Sequence, residues 1–349
     1  MTKLARFRKL KRLYIPAFVV LLAISPFVFA SYVNFQIAMI AVFAVAILGL
    51  NIITGYTGQV SLAQTAFVGL GAYTVAFGVN HGWPVIVTFV AAALLPALVG
   101  FLVALPAARL RGHSFAIVSI ALPIVGIPLA LRFPDITGGA FGSSISWMNA
   151  PTWMHLANDD FRFYVVIIIA TVFFLLAKNL MTGRFQRNFA VVREDELVAA
   201  AMGVSPYRHK VLAFTIASMY GGIAGFLYMT LVQFVSPAIF GFSLALQLLA
   251  AMIIGGRASI LGSLLGGALY VLLPVLIGQV DATQTTLLYG AVLLVILLVV
   301  PGGLVRIGDL FNRFRRNPPK DQEWAAPVID TSPSESSQAA VAPLSVPKP

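Results

Sequence analysis

The chain contains ten apolar runs, each about as long as a bilayer is thick, and this feature limits the fold more than any other. A membrane-spanning helix needs roughly 20 apolar residues at a rise of about 1.5 Å each. Only 10% of the residues are charged, whereas about 25% is usual in a soluble domain. The sequence therefore predicts an all-α polytopic membrane protein with ten transmembrane helices, at 14–32, 35–54, 62–79, 84–106, 113–131, 161–180, 211–233, 240–256, 259–279 and 284–300.

The distribution of lysine and arginine predicts the orientation of these spans. If residue 1 is cytoplasmic, only Arg132 and Arg162 of the 23 basic residues fall in outside segments. Basic residues concentrate in cytoplasmic loops, so both termini are predicted to be cytoplasmic. The net charge of +11 is then a signature of topology and not of nucleic-acid binding, because the basic residues flank spans. The first run, with "VFAS" at 28–31, also resembles a cleavable signal peptide, but it is long for one and its removal leaves an odd number of spans.

Four segments outside the spans complete the predicted domain organisation. Residues 1–13 form a basic cytoplasmic N-terminus and 14–304 the transmembrane domain, with an outside loop at 132–160 and a cytoplasmic loop at 183–210. The outside loop contains Trp147 and Trp153, which are predicted to lie at the membrane interface. Residues 305–349 form a cytoplasmic tail, and from about residue 318 its Pro, Ser and Ala content predicts disorder.

Residue types that are missing exclude several functions. There is no cysteine, and the four histidines have no metal-ligand spacing. No acidic or basic residue falls in the interior of a predicted span, since Arg162 and Lys178 lie within two residues of the ends of 161–180. This argues against a proton relay, although sodium can bind to backbone carbonyls of broken helices. No Gly-Lys pair occurs, so the chain has no Walker A loop and ATP must bind to another subunit. The absence of converging catalytic groups argues against an enzyme.

The cytoplasmic loop 183–210 is predicted to contain a short helix that contacts another protein. Its acidic residues Glu194, Asp195 and Glu196 suit a helix start, alanines follow, and Gly203 and Pro206 end the helix. A solvated linker is the alternative, but linkers between spans are normally only a few residues long.

The stretch "GYTGQVSLAQTAFVGLGAYT" at 55–74 combines glycine with neutral polar residues and carries no charge. Small residues recur at helical spacing from Ser61 to Ala76, which permits close helix packing. A second interpretation, compatible with the first, is a path for a zwitterionic substrate, since non-helical backbone survives at membrane depth only beside protein or water. The predicted pathway residues are Gly55, Gly58, Gln59, Ser61, Gln64, Thr65, Gly69 and Gly71.

Five motifs occur in this order: "NIITGYTGQVSLAQTAFVGLGAYT" (51–74), "LRGHSFAIVSIAL" (110–122), "ITGGAFG" (136–142), "VVREDELVAAAMGVSPYRHKVLAFTIAS" (191–218) and "VVPGGL" (299–304). Together they resemble the motifs of the permease subunits of branched-chain amino-acid ABC importers, in the LivM-like branch. Two departures are Arg257 in "GGRAS", where "GGLGS" is usual, and Phe141, where a smaller polar residue is expected.

The resemblance implies a role in a larger complex in the bacterial inner membrane. It implies a second homologous permease, two cytoplasmic ATPase subunits that bind the ATP, a periplasmic binding protein, and no cofactor in this chain. The substrate is then a branched-chain or other neutral amino acid; a urea or amide importer stays open, and a stand-alone secondary carrier leaves the 183–210 loop unexplained. The implied periplasmic motif is Thr137, Gly138, Gly139 and Gly142, and the implied ATPase-coupling residues are Arg193, Glu194, Glu196, Ala199, Ala200 and Gly203.

Overall fold

The computed structural model describes residues 29–109, 114–151, 156–278 and 303–306, together with positions 26, 288, 290–292 and 295. All of them belong to one compact unit. The predictions for residues 1–13, for Trp153 and for the tail beyond 306 lie outside the described residues. The helices are α1 (Ser31–Leu50), α2 (Gln64–Asn80), α3 (Val85–Ala107), α4 (Ser114–Arg132), α5 (Pro134–Thr137), α6 (Asn158–Leu180), α7 (Arg184–Glu194), α8 (Glu196–Ala201), α9 (Pro206–Val232), α10 (Phe242–Gly255) and α11 (Ile260–Gly278).

Helices correspond to eight of the ten predicted spans. Six spans in the described part of the chain are long and apolar enough to cross a membrane, including α11. Helices α2 and α10 are shorter, with 17 and 14 residues. Helix α9 begins five residues before the predicted start at 211, because Ser205 caps it and Pro206 occupies its first turn. The predicted spans 14–32 and 284–300 lie largely outside the described residues, so the number ten stays a prediction.

Helices α1 and α9 form the centre of the bundle and are its most buried spans. Helix α9 packs closely on α2 and α3, and α1 packs on α6, α9 and α11. Glycines allow this approach: a Cβ placed on Gly71 of α2 would lie 2.7 Å from the Cα of Gly222 on α9. Gly221 and Gly225 form a G-x-x-x-G pair on the same helix. Such pairs let helix backbones approach in membranes, where lipid is as apolar as the side chains.

Two irregular segments interrupt the helical bundle. Helix α1 continues directly into a π-helical segment, Asn51–Tyr56, in which every residue is buried. A non-helical loop, 57–63, then leads to α2. A 3₁₀ turn, Pro237–Phe240, precedes α10. The ring of Phe240 lies against Gly69 of α2 and Gly126 of α4. Such backbone is tolerated in a membrane because other protein segments cover it.

A two-stranded antiparallel sheet, not predicted from the sequence, lies at the end of the bundle opposite the π-helical segment. Strand β1 (Ser143–Ser144) pairs with β2 (Phe234–Val235). The side chain of Asn80, at the end of α2, donates to Ser143 Oγ at 3.3 Å. Trp147 contacts Phe226 of α9 edge to face, with ring centroids 5.4 Å apart. The sheet therefore joins the ends of α2 and α9 to the predicted outside loop.

Candidate functional site

Asn51 is the centre of a buried polar junction at the start of the π-helical segment. Its side-chain nitrogen donates to the carbonyls of Gly256 at 3.3 Å and Ser259 at 2.8 Å, and to Ser263 Oγ at 3.0 Å. Its Oδ1 accepts from the backbone nitrogen of Ala258 at 2.8 Å. Asn51 is fully buried, so these bonds satisfy an amide that would otherwise be costly to bury. They attach α1 to the turn between α10 and α11.

Glycines 55 and 58 leave room for the polar contacts of this junction. A Cβ placed on Gly55 would overlap Asn51 Oδ1 and would lie 2.6 Å from the nitrogen of Ala258. A Cβ placed on Gly58, which has φ +75°, would lie 2.9 Å from Cγ of Arg193. Arg193 Nη1 in turn donates to the carbonyl of Gly55 at 2.8 Å. The structure therefore brings a predicted coupling residue directly against two predicted pathway residues.

The loop 57–63 is held by hydrogen bonds to the π-helical segment and to α4. Thr57 Oγ1 donates to the carbonyl of Ile53 at 2.5 Å, and Thr54 Oγ1 accepts from the nitrogen of Ser61 at 3.3 Å. The nitrogen of Leu62 donates to Ser119 Oγ at 3.0 Å. The loop is therefore a fixed connection and not a flexible linker.

Two predicted pathway residues have polar groups that the described structure leaves unpaired. Both side-chain amide atoms of Gln59 and Oγ1 of Thr65 are buried without a hydrogen-bond partner among the described residues. Buried polar groups are normally paired, so these two residues are the members of the predicted set best suited to contact a substrate. Their assignment to a pathway stays a prediction.

Three further predicted pathway residues, Gln64, Gly69 and Gly71, make contacts that join helices. Gln64 Nε2 donates to the carbonyls of Ala46 at 2.9 Å and Ala217 at 3.3 Å, so its side chain joins α1 to α9. Gly69 lies against the ring of Phe240: a Cβ there would be 2.5 Å from Cε1. For Gly69 and Gly71 the packing interpretation is the one that the contacts support.

A cavity of about 710 Å³ lies between α2, α3 and α4 and is almost entirely apolar. It includes Phe240, which stacks on Tyr73 with the ring planes 4° apart. The Tyr73 hydroxyl is buried without a hydrogen-bond partner among the described residues. None of the eight predicted pathway residues lines this cavity.

The loop 183–210, predicted to be cytoplasmic, forms two helices, α7 and α8, where one was predicted. Asp195 separates them with extended backbone, and its Oδ1 accepts from the nitrogens of Leu197 and Val198 at the start of α8. Of the three acidic residues predicted near the start of the short helix, Asp195 and Glu196 lie at the start of α8, whereas Glu194 is the last residue of α7. The predicted stop at Gly203 is confirmed: φ is +77°, and its nitrogen donates to the carbonyl of Ala200.

Glu196 is paired inside the chain. Its Oε1 lies 2.5 Å from Nζ of Lys210, whose side chain is only 5% exposed, against 38% for Glu196. Ala199 is fully buried, whereas Ala200 is exposed. The outer surface of α8, defined by Leu197, Val198 and Met202, is exposed despite being apolar.

The predicted periplasmic motif forms a tight turn at the end of α4. Thr137 Oγ1 donates to the carbonyls of Ala130 and Phe133 and accepts from the nitrogen of Gly139. Gly138, Gly139 and Gly142 all have positive φ, which explains the glycines. Phe141, the departure from the motif, is 92% exposed.

Sequence reasoning missed Asn51, Lys210 and Phe240. A lone asparagine in an apolar run was the available signal for Asn51, because a polar side chain in a span must find a partner. Lys210 was placed outside the span that begins at 211, although it belongs to the first turns of α9. Nothing local marks Phe240, whose contacts come from α2 and α4.

These features define a class, the multi-pass α-helical membrane proteins. In this member, the helical loop 183–210 between two spans contacts the π-helical end of a central span. The chain belongs to the family described as "Branched-chain amino acid transport system / permease component", whose model matches residues 30–301.

Relatives agree with this family. The chain is 28% identical to the high-affinity branched-chain amino acid transport system permease protein LivM of Escherichia coli (strain K12), over 84% of this chain and 75% of that protein. It is 22% identical to LivH of the same strain, over 75% and 91%, and 25% identical to an autoinducer 2 import permease, LsrC, of Enterobacter sp. (strain 638), over 72% and 69%. Among solved structures it aligns with PsaBC from Streptococcus pneumoniae at 17% identity over 85% of this chain, but the TM-score of 0.43 is too low to establish a common fold.

Proposed function

We propose that this chain is a permease subunit of an ABC importer that moves branched-chain or other neutral amino acids across the bacterial inner membrane. Separate ATPase subunits drive it, a second permease pairs with it, and a periplasmic binding protein delivers the substrate. Membership of the family supports the class, and the names of LivM and LivH support the substrate and the pairing. The end of the bundle with α7 and α8 is then cytoplasmic.

The observation that carries the coupling role is the exposed apolar surface of α8. Leu197 in α8 is 70% exposed and Met202, which directly follows α8, is 67% exposed, whereas Ala199 in the same helix is fully buried. A contiguous apolar surface at the polar end of a membrane protein indicates a protein contact. A short amphipathic helix that lies in a partner's groove is a common form of such contact. An ATPase subunit fits this place.

Copurification tests the docking surface directly. The complex is purified through a tag on this chain, and bound ATPase subunits are quantified. Leu197→Glu is expected to remove most of the ATPase, because it buries a charge in an apolar contact. Phe141→Glu is the matched control, since Phe141 is also an exposed apolar residue, at 92% against 70% for Leu197, but lies next to the β1–β2 sheet at the other end of the bundle. Equal ATPase recovery from both variants refutes the docking role of α8.

Uptake by the reconstituted complex tests the substrate class. With the loaded binding protein outside and ATP inside proteoliposomes, labelled leucine is expected to accumulate and labelled urea is not. Accumulation of urea alone identifies the amide importer instead. Leucine accumulation by this chain without ATPases identifies a stand-alone carrier.

A further inference from the structure

We infer that Arg193 is a positioning residue that transmits movement of α7 and α8 to the first membrane helix through the carbonyl of Gly55. The inference rests on the proposed function, because it assigns a route for ATPase-driven movement within this chain. It differs from a docking role for Arg193, since the guanidinium contacts this chain's own backbone. The contact joins residues 138 positions apart in sequence.

Arg193 makes both a hydrogen bond and a packing contact with the segment that follows α1. Arg193 lies in the last turn of α7, next to Val192, which is buried along with Phe189. Its Nη1 donates to the Gly55 carbonyl at 2.8 Å, and its aliphatic stem lies against Gly58. Gly58 has φ +75° and leaves no room for a side chain while Arg193 is present, since a Cβ there would lie 2.9 Å from Arg193 Cγ. Two glycines of the 51–74 motif therefore accommodate one arginine.

The chemistry of the contact explains why a guanidinium is used. The last carbonyls of a helical segment have no partner further along the helix and carry a partial negative charge. Gly55 is one residue from the end of the segment Asn51–Tyr56. Arginine stays charged under all physiological conditions and presents several donors in a fixed plane. The bond is therefore charge-assisted, and such bonds are stronger than neutral ones.

The π-helical segment connects this contact to the rest of the bundle. Gly55 lies against Asn51, whose side chain bonds to Gly256, Ala258 and Ser259 in the turn before α11. Movement of the Gly55 carbonyl therefore reaches α1 directly and α11 through Asn51. A π-helical turn contains an extra residue, and such turns occur frequently at functional sites. The segment is thus the place where a displacement of α7 enters the membrane domain.

The ratio of substrate transported to ATP hydrolysed tests this route in the reconstituted complex. Arg193→Ala is expected to lower the ratio by about tenfold, the factor expected from losing a charge-assisted hydrogen bond, while ATPase subunits still copurify and hydrolyse ATP. Arg193→Lys, which keeps the charge, is expected to recover part of the ratio. An unchanged ratio in Arg193→Ala overturns the inference, as does loss of ATPase binding. Reduced expression with a normal ratio in the surviving complex shows a structural role only and also overturns it.

A disulfide provides a rescue that a structural role does not predict. A Cβ on Gly58 lies 3.5 Å from Cβ of Arg193, within the disulfide range of about 3.5–4.5 Å, and the chain has no native cysteine. The double variant Gly58→Cys/Arg193→Cys is expected to have a low ratio when reduced and to regain it when oxidised. Failure of the formed disulfide to raise the ratio contradicts a role in holding α7 to the loop.

Hydrogen exchange separates this inference from the proposed function. If the wild-type complex shows no ATP-driven uptake, the proposed function fails. The contact between Arg193 and the Gly55 carbonyl is then tested in the purified chain alone. Arg193→Ala is then expected to speed amide exchange at residues 59–63, since the loop loses its contact with α7. Unchanged exchange there overturns the link itself.

Discussion

Replacing Glu196 by glutamine tests how far the buried ammonium of Lys210 depends on its partner. Lys210 Nζ lies 2.5 Å from Glu196 Oε1, and its side chain is 5% exposed. Removing one member of a fully buried ion pair costs about 3–5 kcal/mol, whereas a fully exposed pair contributes only about 0.2–1 kcal/mol. Glu196 is 38% exposed, so water stabilises part of the charge. We expect Glu196→Gln to lower the free energy of unfolding by about 1–3 kcal/mol.

Lys210→Met is the informative companion variant. It removes the charge that needs a partner and keeps an apolar stem of similar length, so its cost is expected to stay within about 1 kcal/mol. Glu194→Gln is the matched control, because Glu194 is an exposed acid at the end of the preceding helix. Unfolding of the purified protein in detergent measures all three. Wild-type stability in Glu196→Gln refutes the reasoning.

Charge exchange then distinguishes an internal role of Glu196 from a contact with an ATPase. Glu196→Lys alone places two ammonium groups together, so its loss of uptake has two explanations. Adding Lys210→Glu restores an opposite pair. If Glu196 acts only by holding Lys210, the double variant regains both stability and uptake per ATP. If stability returns but uptake does not, Glu196 also contacts a partner subunit.

Three further predictions test the junction, the packing and the topology. Asn51→Leu is expected to lower the free energy of unfolding by about 3–5 kcal/mol, because four hydrogen bonds of about 0.6 kcal/mol each are lost and their partners are left unpaired. A similar loss in the exposed control Asn179→Leu, measured in the same unfolding assay, contradicts this. Gly69→Leu is expected to cost about 1–3 kcal/mol by overpacking against Phe240, and Phe240→Ala in the same chain should recover part of that stability; failure to recover any shows that the clash lies elsewhere. A reporter fused after residue 310 should be active only in its cytoplasmic form, and a periplasmic signal there overturns the predicted orientation.

The regular helices follow from the sequence because hydropathy alone defines them. The start of α3 at Val85 and the end of α6 at Leu180 lie within a residue of their predicted positions. The shape of the end of α1 does not follow, since the composition of "NIITGY" does not distinguish a π-helical end from an α-helical one. The segment begins at Asn51, whose side-chain hydrogen-bond partners lie more than 200 residues away. Local composition carries no information on such contacts.

The same limit applies to the site residues. Glycine in 55–71 correctly indicates close approach, but the sequence does not say what approaches. The neighbours are a side-chain amide at Gly55, an arginine at Gly58, a phenyl ring at Gly69 and a helix backbone at Gly71. Only tertiary contacts separate these four cases, which is why the packing and pathway interpretations remained equal at the level of sequence.

These different neighbours suggest why one motif carries so many small residues. Gly69 and Gly71 occupy the apolar part of α2 and accommodate Phe240 and α9, so they fix the bundle. Gly55 and Gly58 occupy the polar junction and accommodate the groups that join it to α7 and to the α10–α11 turn. A larger residue at Gly69 or Gly71 would push Phe240 or α9 away from α2. A larger residue at Gly55 or Gly58 would instead disrupt the contacts with α7 and with the α10–α11 turn. The motif therefore combines a packing requirement with a mechanical one, and the two are separable by mutation because they lie on successive stretches of the chain.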